Sequence, residues 1–402
     1  MQDEYLSIKI PFDLSLLPPD SFLVGGVVRD AILNRQRFPL DLDFVLPINA
    51  VNTAKNIAKK YHAGFVVLDA KRQIARVVLK NATLDFAQRE GDSLENDLRR
   101  RDFTINAIAY DPFTETIFDP LNGKLDLEKR TLKMISEDNL QDDPLRLLRA
   151  YRQAAQLNFS IENNTQKTIQ NLAPLLKKVA PERIRVELDY LLINDKLGNH
   201  YLNLAYQDKL IEPWFKNSSE QQFKLLDKID VLTKKISQNY PEYQDQKNWN
   251  YLAKITCLFS QNLEMAEQNL MELKYSRSVI RNVVTTLNNL PKLINHPNMS
   301  LRDQYFLFLD LKDVFPVFAL LASLKMGDTT IIEPLLQRYF NPNDPVAHPK
   351  SLVTGHDLIR ELKIKPSPEL GKLLTEIAIA HIEGKIKTDS EALAFAKNMI
   401  NK

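Results

Sequence analysis

The 402-residue sequence predicts an α+β protein in which a small mixed sheet with helices is followed by helices alone. Residues 20–135 alternate strand-like and helix-like segments, whereas from about Asp142 nearly every segment repeats with helical period. The chain is also too long for one ordinary core, so two or more domains are expected. A hydrophobic fraction of 44% and a charged fraction of 26% match a globular protein, so the division is between folded parts.

Phe22-Leu23-Val24 reads as a strand running into Gly25-Gly26 and a helix from Val27 to Leu33. Asp41 to Leu46 reads as a second strand, Val51 to Tyr61 as a helix and Phe65 to Leu68 as a third strand. Ile74 to Leu79 and Thr83 to Ala87 form two strands turned at Lys80-Asn81. Farther on, Phe223, Leu226, Ile229, Leu232 and Ile236 follow one helical face, as do Ile280, Val283, Val284, Leu287 and Leu290. Pro291 with Pro297 marks one interhelical loop, and Pro342, Pro345 and Pro349 mark another.

Composition narrows the chemistry. The lone Cys257 excludes an intrachain disulfide, and no Cys/His cluster has zinc spacing. His356-Asp357 has no second His/Asp cluster before it, which argues against a metal-dependent phosphohydrolase. The acidic start, Met1-Gln2-Asp3-Glu4, resembles no targeting peptide, and no apolar run reaches the roughly 18 residues of a membrane span. A reducing, cytoplasmic compartment without membrane attachment is the simplest expectation. Net charge is only +2, so any basic surface must be local.

Asp41-Leu42-Asp43 occupies a strand, where a period of two turns both carboxylates to one face, their Cα atoms roughly 6–7 Å apart. Such a pair suits Mg²⁺, which takes oxygen ligands and keeps water and substrate phosphates in its shell. Two such ions would activate a ribose 3′-hydroxyl and stabilise departing pyrophosphate. An Asp-x-Asp alone also occurs on exposed strands, but here a Gly-Gly turn precedes it. Amides at Gly25 and Gly26, unobstructed by side chains, suit phosphate, with Arg29 in reach and Asp30 to direct it. Asp85, central in its strand, fits a third metal-binding carboxylate and equally a solvent-facing residue.

Arg99, Arg100 and Arg101 precede Asp102 and Asn106, a run suited to triphosphate and ribose, or to a solvated basic stripe. Asp142-Asp143-Pro144-Leu145-Arg146 opens a helix with Asp143 and Arg146 on one face, either as a cap with an ion pair or as a reader of a base edge. Arg146, Arg149 and Arg152 then recur every three residues. From 146 to 187 eight Lys/Arg, including Arg183 and Arg185, face three Glu, which is the local basic patch that net charge conceals.

In order along the chain, these blocks resemble the class II tRNA nucleotidyltransferase and bacterial poly(A) polymerase family. The resemblance runs through Leu23-Val-Gly-Gly-Val-Val-Arg-Asp30, Asp41-Leu42-Asp43 and Arg100-Arg-Asp-Phe-Thr-Ile-Asn-Ala107. It continues in Asp119-Pro-Leu-Asn-Gly123 with Asp126-Leu127, Asp142-Asp-Pro-Leu-Arg146 and Pro181-Glu-Arg-Ile-Arg-Val-Glu-Leu188, and thus covers the first half of the chain. Thr354-Gly355-His356-Asp357-Leu358 and Glu369-Leu-Gly-Lys-Leu-Leu374 resemble the tail of bacterial members.

The resemblance implies a nucleotidyltransferase-fold head over 1–140, a neck over 141–205, a body over 206–300 and a tail over 301–402. It implies Asp41 and Asp43 as Mg²⁺ ligands, with Asp85 as a further catalytic carboxylate. Gly25, Gly26, Arg29, Arg100, Arg101, Asp102, Asn106 and Arg149 are expected at the nucleotide, Asp143 and Arg146 pairing with the base of CTP or ATP. Arg152, Arg183, Arg185 and Gly355 are expected at the tRNA. Asp142 departs from the family's Glu at that position. Only Glu90-Gly91-Asp92 stand between Arg89 and Ser93, where members that add A carry a longer flexible segment. The expected activity is therefore CC addition alongside a partner A-adding enzyme, with full CCA addition as the alternative and poly(A) synthesis or an inactive RNA-binding homologue behind it.

Overall fold

In the computed structural model, residues 6, 8–35, 38–194, 196–215, 218–245, 248–259, 262–295, 298–327 and 329–400 are described. They divide into two compact units, 1–213 and 214–402.

The first unit begins with β1 (Phe22–Val24), α1 (Gly26–Ile32), β2 (Leu40–Leu46), α2 (Ala50–Lys60), β3 (Gly64–Asp69), β4 (Ile74–Val78) and β5 (Ala82–Gln88), in the order expected. The β4–β5 turn forms at Lys80-Asn81, where Leu79 N–H donates to the Ala82 carbonyl at 2.8 Å. α3 (Leu94–Arg99), β6 (Ala109–Asp111) and β7 (Thr116–Phe118) follow. The sheet runs β3-β4-β5-β2-β1-β6-β7, with β2 and β5 parallel because a helix and a hairpin intervene between them. β6 and β7 were not anticipated; three residues each are too few to show alternation.

β2 explains the site's position. Leu42, Phe44 and Leu46 are buried on one face, where the Phe44 ring stacks on Phe86 at 5.1 Å and takes the edge of Phe12 at 5.4 Å. Each large apolar group so buried contributes roughly 1.5–3 kcal/mol. Alternation sends Asp41 and Asp43 to the opposite face. On that face Val45 joins Val24, Leu94, Leu98, Ala107 and Ala109, so the carboxylates stand at the rim of a second apolar cluster.

The chain continues through α4 (Gly123–Glu128), β8 (Thr131–Leu132), α5 (Glu137–Asp142), α6 (Leu145–Leu157), β9 (Ser160–Ile161), α7 (Asn163–Leu172), α8 (Pro181–Ile193) and α9 (Lys196–Gln207). β8 and β9 pair in parallel and tie the sheet region to the helices after it. The block Asp142 to Arg146 does open a helix, but later than expected, because Asp142 ends α5. Ser136 caps α5 by accepting from Asn139 N–H, and Asp143, preceding a proline, is extended (φ −131°, ψ 92°). The next helix starts at Leu145, with Leu145 N–H reaching Asp143 Oδ1 at 3.3 Å.

The second unit is helical: α10 (Glu220–Asn239), α11 (Asn248–Leu258), α12 (Leu263–Glu272), α13 (Arg277–Asn295), α14 (Leu301–Leu311), α15 (Phe315–Met326), α16 (Glu333–Phe340), α17 (Gly355–Leu362), α18 (Pro368–Ile382) and α19 (Asp389–Ile400). Residues Phe315 to Ser323 are all buried, which marks α15 as the central helix. Leu358, Leu373, Ile377, Ala392 and Ala396 make a separate core for α17–α19. Pro291, expected in a loop, lies inside α13, whose buried face continues through Leu290 and Leu293; this packing offsets the hydrogen bond a proline removes. Pro297 lies outside the described residues. The second proline cluster does fall between helices, α16 and α17.

Candidate active site

A cleft of about 420 Å³ opens in the first unit between the sheet face carrying Asp41 and Asp43 and one face of α6. The sequence candidates Gly25, Gly26, Arg29, Asp41, Asp43, Arg101, Asp102, Asn106, Asp143, Arg146, Arg149, Arg152 and Arg183 all line it. Asp85, Arg100, Arg185 and Gly355 do not.

The floor is acidic. Burial, together with the charges of Asp41 and Asp85, raises the Asp43 carboxyl to about 6, against the opposing charges of Arg101 and Arg76. Asp85 sits level with Asp43 in the β2–β5 register, and Arg76 sits level with Asp85 in β4. Arg76 grips both Asp85 oxygens at 2.7 Å, so Asp85 acts on Asp43 through charge from beside the cleft. Arg76 was not singled out in the sequence, although its alternation with Asp85 across a hairpin was available.

Gly25 closes one side. Its φ of +77° favours glycine, and an added Cβ would stand in contact with Asp43 Oδ2 at 3.4 Å. Arg101 crosses above it, anchored through Nη2 to the buried Asp97 at 3.0 Å. Its buried Nε finds no hydrogen-bond partner among the described residues. Arg29, expected to reach phosphate, is drawn inward: Nε donates to Asp30 at 2.9 Å and Nη1 to Asn106 Oδ1 at 2.7 Å.

The opposite wall is a closed polar network. Asp102 Oδ1 accepts from Phe103 N–H and Asn106 Nδ2, both at 2.9 Å. Its Oδ2 accepts from Arg149 Nε and Nη2 at 3.1 and 2.9 Å, and from Gln153 Nε2 at 3.3 Å. Burial pushes the Asp102 carboxyl up, but the Arg149 charge and these hydrogen bonds outweigh it and hold the group below its ordinary value. Asn106 completes its own bonding with Gln153 Oε1 at 2.9 Å. Asp102 and Asn106, expected at a ribose, are therefore engaged with the protein. Gln153, which joins Arg29, Asn106 and Asp102, was missed because a glutamine inside an amphipathic helix carries no sequence signal.

Arg146 is held from behind by two carbonyls. Both Nη1 bonds go to backbone, to Arg100 and Asn139, each at 2.9 Å. A guanidinium has five donors, so these two bonds leave Nη2 and Nε of this cleft-lining residue unused. Burial lowers its pKa against the raising charges of Asp102 and Asp143. Asp143 Oδ2 accepts from Arg183 at 3.0 Å. At the mouth, Arg152 bonds Glu187 through Nε and Gln156 through Nη1, the latter at 2.8 Å. Arg100 is occupied with Glu90 at 2.8 Å, and Arg185 lies 3.8 Å from Asp189. Gly355 lies in the second unit, where α17 opens beside Leu370 and Leu374. Beside it Thr354 and Asp357 cap each other, which gives Asp357 a structural role at the helix start.

Residues 21–133 match the poly A polymerase head domain, 158–221 the probable RNA- and SrmB-binding site of polymerase A, and 243–396 the tRNA nucleotidyltransferase domain 2. Over 401 residues the chain is 46% identical to the CC-adding tRNA nucleotidyltransferase of Synechocystis sp., covering 97% of this chain and 96% of that protein. The chain belongs to the tRNA nucleotidyltransferase family. It is 29% identical to the CCA-adding enzyme of Leuconostoc mesenteroides over 95% of its own length and 93% of that protein's. Its fold matches that of a CCA-adding enzyme solved with ATP at a TM-score of 0.75 and 22% identity, covering 94% of this chain and 91% of the other. The expected α+β architecture and nucleotidyltransferase activity are thus borne out.

Family membership implies a divalent metal, and the residues fit one. Asp41 and Asp43 offer hard oxygen donors, and the crowding that raises Asp43 is what a cation would relieve. Among the described residues no three His, Cys, Asp or Glu form a metal cage. The remaining ligands would therefore be water and substrate phosphate. No described helix is long and apolar enough to cross a membrane.

Proposed function

We propose that this enzyme adds CC, from CTP, to the 3′ end of tRNA in the cytoplasm, without a nucleic-acid template and with Mg²⁺ as its metal. The observation that carries this reading is the near full-length 46% identity to a protein named as CC-adding. The link between β5 and α3 supports it, because it is short and locked. Glu90 N–H donates to the buried Asp97 at 3.1 Å, and the Glu90 carboxylate pairs with Arg100 at 2.8 Å.

Asp41 and Asp43 would hold the Mg²⁺, which when bound activates the attacking 3′-hydroxyl and neutralises the triphosphate. The amides of Gly25 and Gly26 and the unpartnered Arg101 Nε receive phosphate oxygens. Arg146, with Asp143, presents donors and an acceptor to the base, a pairing worth roughly 1–3 kcal/mol of discrimination. Asp102 and Asn106 position this wall. Arg152, Arg183 and Arg185 meet the tRNA backbone.

The test is incubation with tRNA ending at its discriminator base, with CTP, ATP or both, followed by sequencing of the 3′ ends. Two C residues and no A are expected; efficient terminal A would transfer the assignment to CCA addition. That second reading has its own support in the 29% identity to a CCA-adding enzyme along 95% of the chain.

A further inference from the structure

One face of α8 carries the cleft outward. Arg183, Glu187 and Tyr190 follow one another at i, i+4 and i+7, so they share that face. Arg183 bonds Asp143 inside the cleft, and Glu187 bonds Arg152 at its mouth. Tyr190 comes next, about 10 Å along the helix from Arg183. The Arg152 guanidinium lies over its ring, 5.5 Å from the centroid. That cation is fixed by Glu187 and Gln156, so it backs one ring face as a rigid plate. Tyr190 nevertheless remains 50% exposed, with Val186 and Ile193 exposed one turn to either side at 43% and 66%.

A half-exposed aromatic ring backed by a cation, on the helix face that leads out of a nucleotide cleft, matches the chemistry of an unpaired RNA base: a π-face flanked by phosphates. We propose that Tyr190, backed by Arg152, is the platform on which the last unpaired base of the tRNA 3′ strand stacks as that strand enters the cleft. The incoming nucleotide does not reach it, because Tyr190 lies outside the cleft lining while Asp143 and Arg146 face the nucleotide. The assignment rests on the cleft being the site of RNA extension.

The test pairs substitutions in the full-length protein with changes in the RNA. Binding of tRNA ending at its discriminator base is titrated, alongside KM for tRNA and for CTP. Y190A and Y190L are expected to weaken tRNA binding and raise its KM roughly 5- to 150-fold, with Y190F near wild type and KM for CTP unmoved. With the same tRNA made abasic at the discriminator position, wild type and Y190A should bind alike. Equal loss on the abasic RNA, or Y190L behaving as Y190F, would overturn stacking in favour of a packing role for Tyr190. Thermal unfolding of each variant, half exposed as the residue is, checks that folding is intact. Should wild type bind tRNA yet incorporate no CTP, the functional reading falls while the binding cycle still decides the platform.

Discussion

Asp43, part-buried, and Asp102, buried, line one cleft, and their environments differ in sign. Asp102 is met by Arg149, Asn106, Gln153 and the Phe103 amide, so its charge is more stable than in water. Asp43 is met by burial and by two further carboxylates, so its charge is penalised and its carboxyl lies at about 6. The first is a finished structural group. The second is left incomplete by the protein, and a cation with a triphosphate is the chemistry that would complete it. A wall that is internally satisfied can hold shape while the floor waits for ligand.

The largest break in this comparison is at the floor. Asp43→Ala should lower CTP incorporation by ~10³-fold or more, since metal stabilisation of a transition state is worth several kcal/mol, while tRNA binding measured by titration persists. Asp43→Asn should be equally inactive yet more stable than wild type without metal. The sign follows from linkage: a carboxyl raised from its ordinary 3.8 to about 6 favours the protonated folded state, so metal-free stability falls as pH rises through that window. The span is on the order of 3 kcal/mol, and Asn should flatten it in thermal melts between pH 4 and 7. Metal-supported incorporation should run oppositely and fall as pH drops below about 6, where a proton competes for Asp43.

At the wall the same kind of substitution should do the reverse. Asp102→Ala leaves the part-exposed Arg149 without its partner and strips acceptors from the buried Asn106 and Gln153. Removing one member of a fully buried pair costs about 3–5 kcal/mol; with Arg149 part-exposed, denaturant melts should show a smaller but clear loss of stability. The contribution of the native carboxylate is complete above its ordinary 3.8 and is lost as pH falls through its depressed value. If Asp102→Ala proved stable but inactive, the wall would be a ligand site and the distinction between the two carboxylates would fail.

The fold was legible because it depends on periodicity: Leu42, Phe44 and Leu46 alternate with Asp41 and Asp43, and α10 and α13 keep long apolar faces. The cleft was legible where residue type alone carries chemistry, as in Asp41, Asp43, Gly25 and Arg146. What the sequence hid is partnership. Nothing local says that Arg76 would clamp Asp85, that Arg29 would turn inward to Asn106, or that Gln153 would join the wall, because each pairing is set by strand register or helix packing across long separations. β6, β7 and α5 were too short for a period to appear, and Pro291 inside α13 shows tertiary packing overriding a local signal.

The finest test of the unfinished floor lies in two adjacent glycines that the sequence presents as one turn. Gly26 is the first residue of α1, and an added Cβ there meets only the end of the flexible Arg29 side chain at 3.5 Å. Gly26→Ala should be neutral or slightly stabilising, since alanine is favoured over glycine in a helix by up to about 1 kcal/mol. Gly25 has φ +77° and ψ −137°, a backbone conformation that costs a side chain roughly 1–3 kcal/mol, and its Cβ would stand 3.4 Å from Asp43 Oδ2. Gly25→Ala should therefore lose stability by that amount and also raise KM for CTP, because the added methyl crowds the space beside Asp43 meant for ion and phosphate. Equal KM values for the two variants would mean that glycine is needed at this turn for chain geometry alone, and that the open space at Asp43 is not shaped for a ligand.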